Sequence, residues 1–384
     1  MLRLPPGEGV LPRQLLADAI ADGVIEADHD SPIPESSLQP ASVDLRLGDR
    51  AYRIRCSFLP DTESVERKVK AFIEDTLDLT GEGVLLEPER PYLIPLRERL
   101  RLPEQIRAKA NPKSSTGRID VFTRVITDHS YRFDEIEAGY HGDLYLEVVP
   151  LSFPVRVRTD LTLNQVRLSV GRTTMSDDEL REHHARDPLL FRGSDPVPAS
   201  ELALSNGMFL GLDLRGDREG RVGYRAREHA PALDLTKHGA VPPDPYWERV
   251  YREEGDRIVL SPRKFYLLMS DEAVSIPPTL AAEMTAYDPT SGELRTHYAG
   301  FFDPGFGYER TARFRGSRAA LEVRAHDVPF IVENGQRVCK LTFERMLVEP
   351  ALSYGDSKMG SSYQRQEDPL GKHFLRPTVA SASR

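Results

Sequence analysis

The sequence predicts a mostly β protein made of two tandem β-barrels of one kind, with a few short helices. Three observations carry that reading. Short apolar runs, several rich in β-branched residues, occur at 144–149, 155–157, 165–170, 321–323 and 338–343, with the length and chemistry of strands. The 30 prolines and 27 glycines break the chain at short intervals, which favours a sandwich or barrel over a parallel α/β sheet. The third observation is an internal repeat. Leu86-Glu87-Pro88-Glu89-Arg90-Pro91-Tyr92-Leu93-Ile94 returns as Leu260-Ser261-Pro262-Arg263-Lys264-Phe265-Tyr266-Leu267-Leu268, and Pro88/Pro262, Tyr92/Tyr266 and Pro103/Pro277 are each 174 residues apart. Tyr140-His141-Gly142 then aligns with Phe314-Arg315-Gly316, Leu146-Glu147-Val148 with Leu321-Glu322-Val323 after one inserted residue, and Gln165 with Gln336.

Taken in order, residues 12–22 carry Leu15, Leu16 and Ile20 at near-helical spacing, continued by Val24, and read as an amphipathic helix. Residues 61–77 are a candidate second helix. The first barrel occupies residues 1–175. A polar stretch at 176–203, with Pro196 and Pro198, reads as a connector; its charged segment around His183-His184 reads as a solvated helix rather than a metal site, since adjacent residues on a helix point to different faces. The second barrel follows at 204–350, and 351–384 form a tail.

Composition narrows the function classes. A net charge of −9 argues against a general nucleic-acid binder, which carries a basic footprint, so any polyanion must be captured locally. The start of the chain lacks a signal-peptide core and no apolar run reaches spanning length; a cytoplasmic protein is expected. Cys56 and Cys339 are far apart, without a CxxC pair or another zinc-ligand spacing.

Two stretches carry chemistry. Lys113-Ser114-Ser115-Thr116-Gly117-Arg118 packs two cations, three hydroxyls and a glycine into six residues. That composition suits a polyphosphate, because charge-assisted hydrogen bonds are the strong ones and hydroxyls fill the remaining oxygens. Downstream, Gly142-Asp143-Leu144-Tyr145-Leu146-Glu147 sets a carboxylate in an apolar strand. Such a glutamate is either a proton carrier of raised basicity or a strand residue held in a salt bridge, and the residues alone leave both open.

Together with Gln39-Pro40-Ala41-Ser42-Val43-Asp44-Leu45-Arg46-Leu47-Gly48 and Ile136-Glu137-Ala138-Gly139-Tyr140-His141-Gly142, these stretches resemble the ordered motifs of dCTP deaminases. The match covers most of residues 10–170 and, more loosely, 205–366, in the manner of a long, tandem bacterial form. The resemblance implies dUTPase-like barrels of distorted jelly-roll type and a zinc-independent conversion of dCTP to dUTP and ammonia. It implies Glu147 as general base, then acid, with Ser114 and Arg118 orienting water and stabilising charge. Lys113, Ser115, Glu137, Tyr140 (against deoxyribose), Gln165, Tyr354, Lys358, Tyr363 and Gln366 are the implied substrate contacts, the last four in a lid over the triphosphate. Magnesium arrives on the nucleotide, and no protein-bound metal is expected. A homo-oligomer, a trimer or one derived from it, and inhibition by dTTP are further implications. In the second repeat Asp288-Pro289-Thr290-Ser291-Gly292-Glu293 replaces the cationic hexapeptide, which would repel phosphates. Glu322 survives there, and Phe302-Asp303-Pro304-Gly305-Phe306-Gly307 resembles the family's Asp-Pro-Gly-aromatic turn without sitting at the equivalent place. One site per chain is therefore expected, built mainly from the first barrel, with the second supplying a wall and the lid. A bifunctional enzyme that continues to dUMP and a non-catalytic nucleotide-sensing scaffold are the alternatives.

Overall fold

The computed structural model describes residues 2–286, 294–296, 300–309, 316–359 and 363–376, with 286 and 294–296 described by their backbone. It is mostly β, and the repeat is visible strand by strand. In the first barrel one sheet runs Val43–Arg46, Thr162–Val170, Ile106–Pro112, Glu135–Ile136. The other runs Ile73–Asp78, Arg50–Ile54, Tyr92–Arg101, His141–Pro150, Val121–Thr127. The second barrel repeats both orders, with Met208–Gly211, Arg337–Arg345, Leu280–Ala286, Gly300–Phe302 and with Trp247–Tyr251, Arg221–Ala226, Phe265–Val274, Ser317–Ala325, Leu294–Thr296. All five predicted apolar runs lie in strands.

The strand Tyr92–Arg101 shows why such segments form. From Leu96 onward buried residues alternate with the more exposed Arg97, Arg99 and Arg101, the period that puts every second side chain into the core. The repeated residues also repeat their bonds. The Tyr92 hydroxyl accepts from the Glu87 amide at 3.1 Å and the Tyr266 hydroxyl from the Ser261 amide at 2.9 Å. Glu98 accepts from the Arg46 amide at 2.7 Å, and its counterpart Glu272 from the Gly211 amide at 2.9 Å. Neither buried carboxylate is left bare, which is the condition for tolerating it in a core.

Three expectations change. Residues 176–203 are not a connector but the start of the second barrel. Helix Asp177–Arg186, closed by a Ser176/Glu179 capping box, and strand Leu190–Arg192 reproduce helix Arg13–Ala21 and strand Ile25–Glu26 of the first. Ile25 pairs with Leu100, and Leu190 with Val274. That helix is solvated on one side only, because His184 is buried and bridges the Val197 carbonyl and the Leu189 amide. The candidate helix at 61–77 shrinks to Val65–Val69, and Ile73–Asp78 becomes an edge strand, tertiary pairing overriding helix propensity. Gln336 is not the counterpart of Gln165. The register sets Lys340 there, since Gln165 faces Asn111 and Lys340 faces Thr285, 174 residues on.

The barrels pack on one another through the sheets that contain Ile106–Pro112 and Leu280–Ala286. Lys109 meets Glu283, its own counterpart, at 2.7 Å, Asn111 donates to the same carboxylate at 2.9 Å, and Arg167 reaches Glu344 at 2.8 Å. Val10, Ala41, Ala281 and Met346 form a small apolar cluster across the junction. Strand Leu233–Asp234 of the second half adds in parallel to Val155–Val157 of the first, and Tyr246 and Trp247 meet Phe153 edge-on at 5.4 and 5.2 Å.

Candidate active site

A cavity of about 250 Å³ lies where the first barrel's hexapeptide faces the second barrel and the tail. The hexapeptide forms one helical turn, Ser114–Gly117, and the Thr116 hydroxyl fastens it to the Leu163 carbonyl at 2.8 Å. Ser114, Ser115, Lys113 and Arg118 all line the cavity, as does Gln165, whose side-chain oxygen accepts from Ser42 at 2.9 Å. Lys113 is ion-paired to Asp44 and donates to the Thr162 hydroxyl at 3.0 Å. Arg118 lies over the Tyr363 ring at 3.7 Å and donates to Gln366 at 2.6 Å and to the Pro369 carbonyl at 3.2 Å.

The opposite wall holds a different glutamate from the one to which the sequence reading gave the acid–base role. Glu147 does not line the cavity. It is completely buried within the first barrel and ion-paired at 2.6 Å to Arg124, which lies over Phe133 at 3.8 Å. The glutamate at the hexapeptide is Glu322, its register equivalent: Glu147 faces Leu93 and Glu322 faces Leu267, 174 residues on. Burial pushes the Glu322 carboxyl up to about 8, Arg118 opposes that rise and Asp120 adds to it. The approach is close enough that a Cβ on Gly117 would stand 2.4 Å from Glu322 Oε2. We therefore expect Gly117→Ala to displace the carboxyl and lower kcat about 100-fold, a loss typical of ångström-scale misplacement, with an unchanged circular dichroism spectrum.

Glu137 and Tyr140 are displaced in the same way. Neither lines the cavity: Glu137 is exposed, and Tyr140 donates to the Asp143 carbonyl at 2.6 Å in its own barrel. Their counterparts Asp303 and Phe306 line it instead. The turn 302–307 does sit at the equivalent place, because the Leu102 amide bonds the Tyr140 carbonyl and the Ile276 amide bonds the Phe306 carbonyl, each at 2.8 Å. The separation between equivalents drops from 174 to 166 at this turn and returns to 175 at Glu322, which is what hid the match. Asp303 is pushed up to about 6 by burial, against the pull of Arg167 at 3.9 Å and with the push of Asp44. The replacement hexapeptide at 288–293 lies outside the described residues.

The tail supplies the cover. Tyr354 and Tyr363 line the cavity with Gln366; the Tyr363 amide donates to the Tyr354 hydroxyl at 3.2 Å. Gln364 brackets the 302–307 turn, donating to the Gly305 carbonyl at 2.9 Å and accepting from the Gly307 amide at 3.1 Å. Gly305 (φ +98°) leaves the room for this closure, since a Cβ there would lie 2.7 Å from the Tyr354 carbonyl. Lys358 does not line the cavity; it is exposed on the turn at Asp356, and Met359 reaches the cavity instead. Lys372, which sequence reasoning missed, does line it. No local motif marks it. The segment is not a free end: Asp368 accepts from the Tyr224 hydroxyl at 2.7 Å, and Phe374 is buried against Tyr246 and Trp247 at 5.4 and 5.9 Å. Residues 363–374 are thus a strap fixed at both ends, by Gln364 and by Phe374.

Residues 7–172 match the family model of the N-terminal domain of 2′-deoxycytidine 5′-triphosphate deaminase, and residues 176–374 match that of its C-terminal domain. The chain belongs to the dCTP deaminase family. The boundary between the family's two domain models coincides with the repeat boundary found above. A solved dCTP deaminase from Agrobacterium tumefaciens is 41% identical, with a TM-score of 0.82 over 89% of this chain and 100% of that one. A dUMP-forming dCTP deaminase of Methanobrevibacter smithii is 32% identical over 127 residues, which are 32% of this chain and 61% of that relative. A dCTP deaminase of Ignicoccus hospitalis is 25% identical over 159 residues, 40% of this chain and 81% of the relative. No helix among the described residues is long and apolar enough to cross a membrane.

Proposed function

We propose that this deaminase-family chain hydrolyses dCTP to dUTP and ammonia without zinc, at a site split between its own two barrels. The observation that carries the reading is Glu322, a buried carboxyl of raised basicity set against Gly117 and Arg118. With its carboxyl proton retained near neutral pH, Glu322 first gives that proton to N3 of cytosine, which makes C4 electrophilic. The resulting carboxylate then takes a proton from the water adding at C4 and passes it to the departing amine. As the C4–N bond breaks, the C4 hydroxyl returns its proton to the Glu322 carboxylate and the carbonyl forms, so one water is consumed, one ammonia released and the acid restored. Ser114, whose hydroxyl faces the Gly300 strand, orients the water, and Arg118 balances the carboxylate as it forms. Phe306 takes the place against deoxyribose first assigned to Tyr140. Tyr363 and Gln366 close over the nucleotide, with magnesium carried in on the triphosphate.

The test is turnover of dCTP by purified protein in excess magnesium with a zinc-selective chelator, products separated by chromatography. Full activity is expected, and its loss would sink the metal-free mechanism. A second reading, onward hydrolysis to dUMP and pyrophosphate, is supported by the name dUMP-forming that the M. smithii relative shares with others. The same chromatogram decides it, since dUMP appears only if the α-phosphate is also attacked. A trimer, inhibition by dTTP and a cytoplasmic setting belong to this reading; light scattering, inhibition kinetics and cell fractionation test them.

A further inference from the structure

We propose that Lys372 is a triphosphate-binding residue of this site, its ammonium held ready for a nucleoside triphosphate that Lys113 and Arg118 are less free to meet. The inference extends the function proposed above and depends on that reading for the identity of the nucleotide. Three cations line the cavity among the described residues. Lys113 is occupied by Asp44 and Thr162, and Arg118 by Gln366, the Pro369 carbonyl and the Tyr363 face. The Lys372 ammonium makes no hydrogen bond or ion pair with a described residue. Its backbone, by contrast, is fixed. The Lys372 amide donates to the Tyr363 hydroxyl at 3.1 Å, its carbonyl accepts from the Gly239 amide at 2.8 Å, and Phe374 two residues on is buried in the aromatic cluster. A cation on a rigid backbone, short of a counter-charge, loses little freedom when an anion arrives.

The charged and titratable groups facing it are Lys113, Asp44, His238 and His373. Burial, then Lys113, lowers the free ammonium to about 8, with Asp44 pulling the other way. Burial also lowers both histidines, so near neutral pH they add little positive charge. A bound triphosphate supplies the missing negative charge and holds the proton on Lys372. Affinity therefore falls as pH rises through about 8, where the free form loses its charge and the bound form keeps it.

The experiment measures binding of inorganic tripolyphosphate by calorimetry at pH 7 and pH 9, and steady-state dCTP kinetics, for the wild type, Lys372→Ala, Lys372→Gln and Lys372→Arg. Lys372→Ala and Lys372→Gln are expected to weaken tripolyphosphate at pH 7 by about 10- to 100-fold, the range for a charge-assisted contact. They should raise KM for dCTP far more than they lower kcat. Lys372→Arg, charged at both pH values, should flatten the loss of affinity between pH 7 and pH 9. Unchanged tripolyphosphate binding in the folded Gln variant would overturn the proposal, as would wild-type affinity equal at the two pH values. A protein that binds tripolyphosphate through Lys372 yet never turns over dCTP would instead sink the deaminase reading and leave this one standing.

Discussion

Glu322→Gln is expected to lower kcat for dCTP by about 10²- to 10⁴-fold, the usual contribution of a positioned acid–base group, while Glu147→Gln leaves kcat within about threefold. The two glutamates hold equivalent register positions in equivalent strands, so the contrast isolates what surrounds them. Glu322 faces Arg118 across Gly117 at the cavity, whereas Glu147 is closed off by Arg124. Stability should move the other way. The folded protein raises the Glu322 carboxyl from its ordinary value of 4.5 to about 8. Stability that is full below the ordinary value is therefore lost as pH climbs towards 8 and the buried group is forced to ionise. Glu322→Gln removes that penalty, so its melting temperature should exceed the wild type's at pH 8.5 and approach it at pH 4.5. Glu147→Gln leaves Arg124 without its partner and should melt lower at neutral pH, because breaking a buried pair exposes an uncompensated charge. Wild-type turnover in Glu322→Gln, or its loss in a folded Glu147→Gln, would return the chemistry to the first barrel.

Phe374→Ala has the second large expected effect, about 3–5 kcal/mol of stability, the usual cost of truncating a buried phenylalanine. The ring sits in the first barrel's core cluster, packed on Tyr246 and Trp247. Its loss frees the end of the strap as well as opening a hole. Calorimetry should therefore show a lower melting temperature, and kinetics below that temperature a raised KM for dCTP. A variant that melts early but keeps the wild-type KM would mean the strap needs no anchor at Phe374.

Much of this was legible in the residues. The Tyr92/Tyr266 and Pro103/Pro277 pairs announce two barrels because turn and core positions must recur wherever one fold is used twice. The hexapeptide at Ser114 and Arg118 is legible because its chemistry is local. The tail residues Tyr354, Tyr363 and Gln366 also reach the cavity. Three of the four misplaced residues share one reason: Glu137, Tyr140 and Glu147 lie in the hexapeptide's own barrel, while the structure brings the hexapeptide to the other barrel's Asp303, Phe306 and Glu322; Lys358 differs, being turned outward on the tail. Lys372 gave no signal because its importance lies in being the cation whose neighbours are already engaged, a property of the assembled cavity.

By itself, then, the sequence determined the kind of fold, its duplication and the residue types of a nucleotide site, because strand periodicity, turn residues and charge are encoded within a few positions. Only the tertiary structure decided which copy of each motif works with which. Two barrels of one register place a glutamate at the same position of each, and which of the two stands at the cavity is set by the packing of Ile106–Pro112 against Leu280–Ala286, sealed by Lys109–Glu283 and Arg167–Glu344. That packing sets one glutamate against Arg118 at the cavity, while the other is neutralised inside its own barrel.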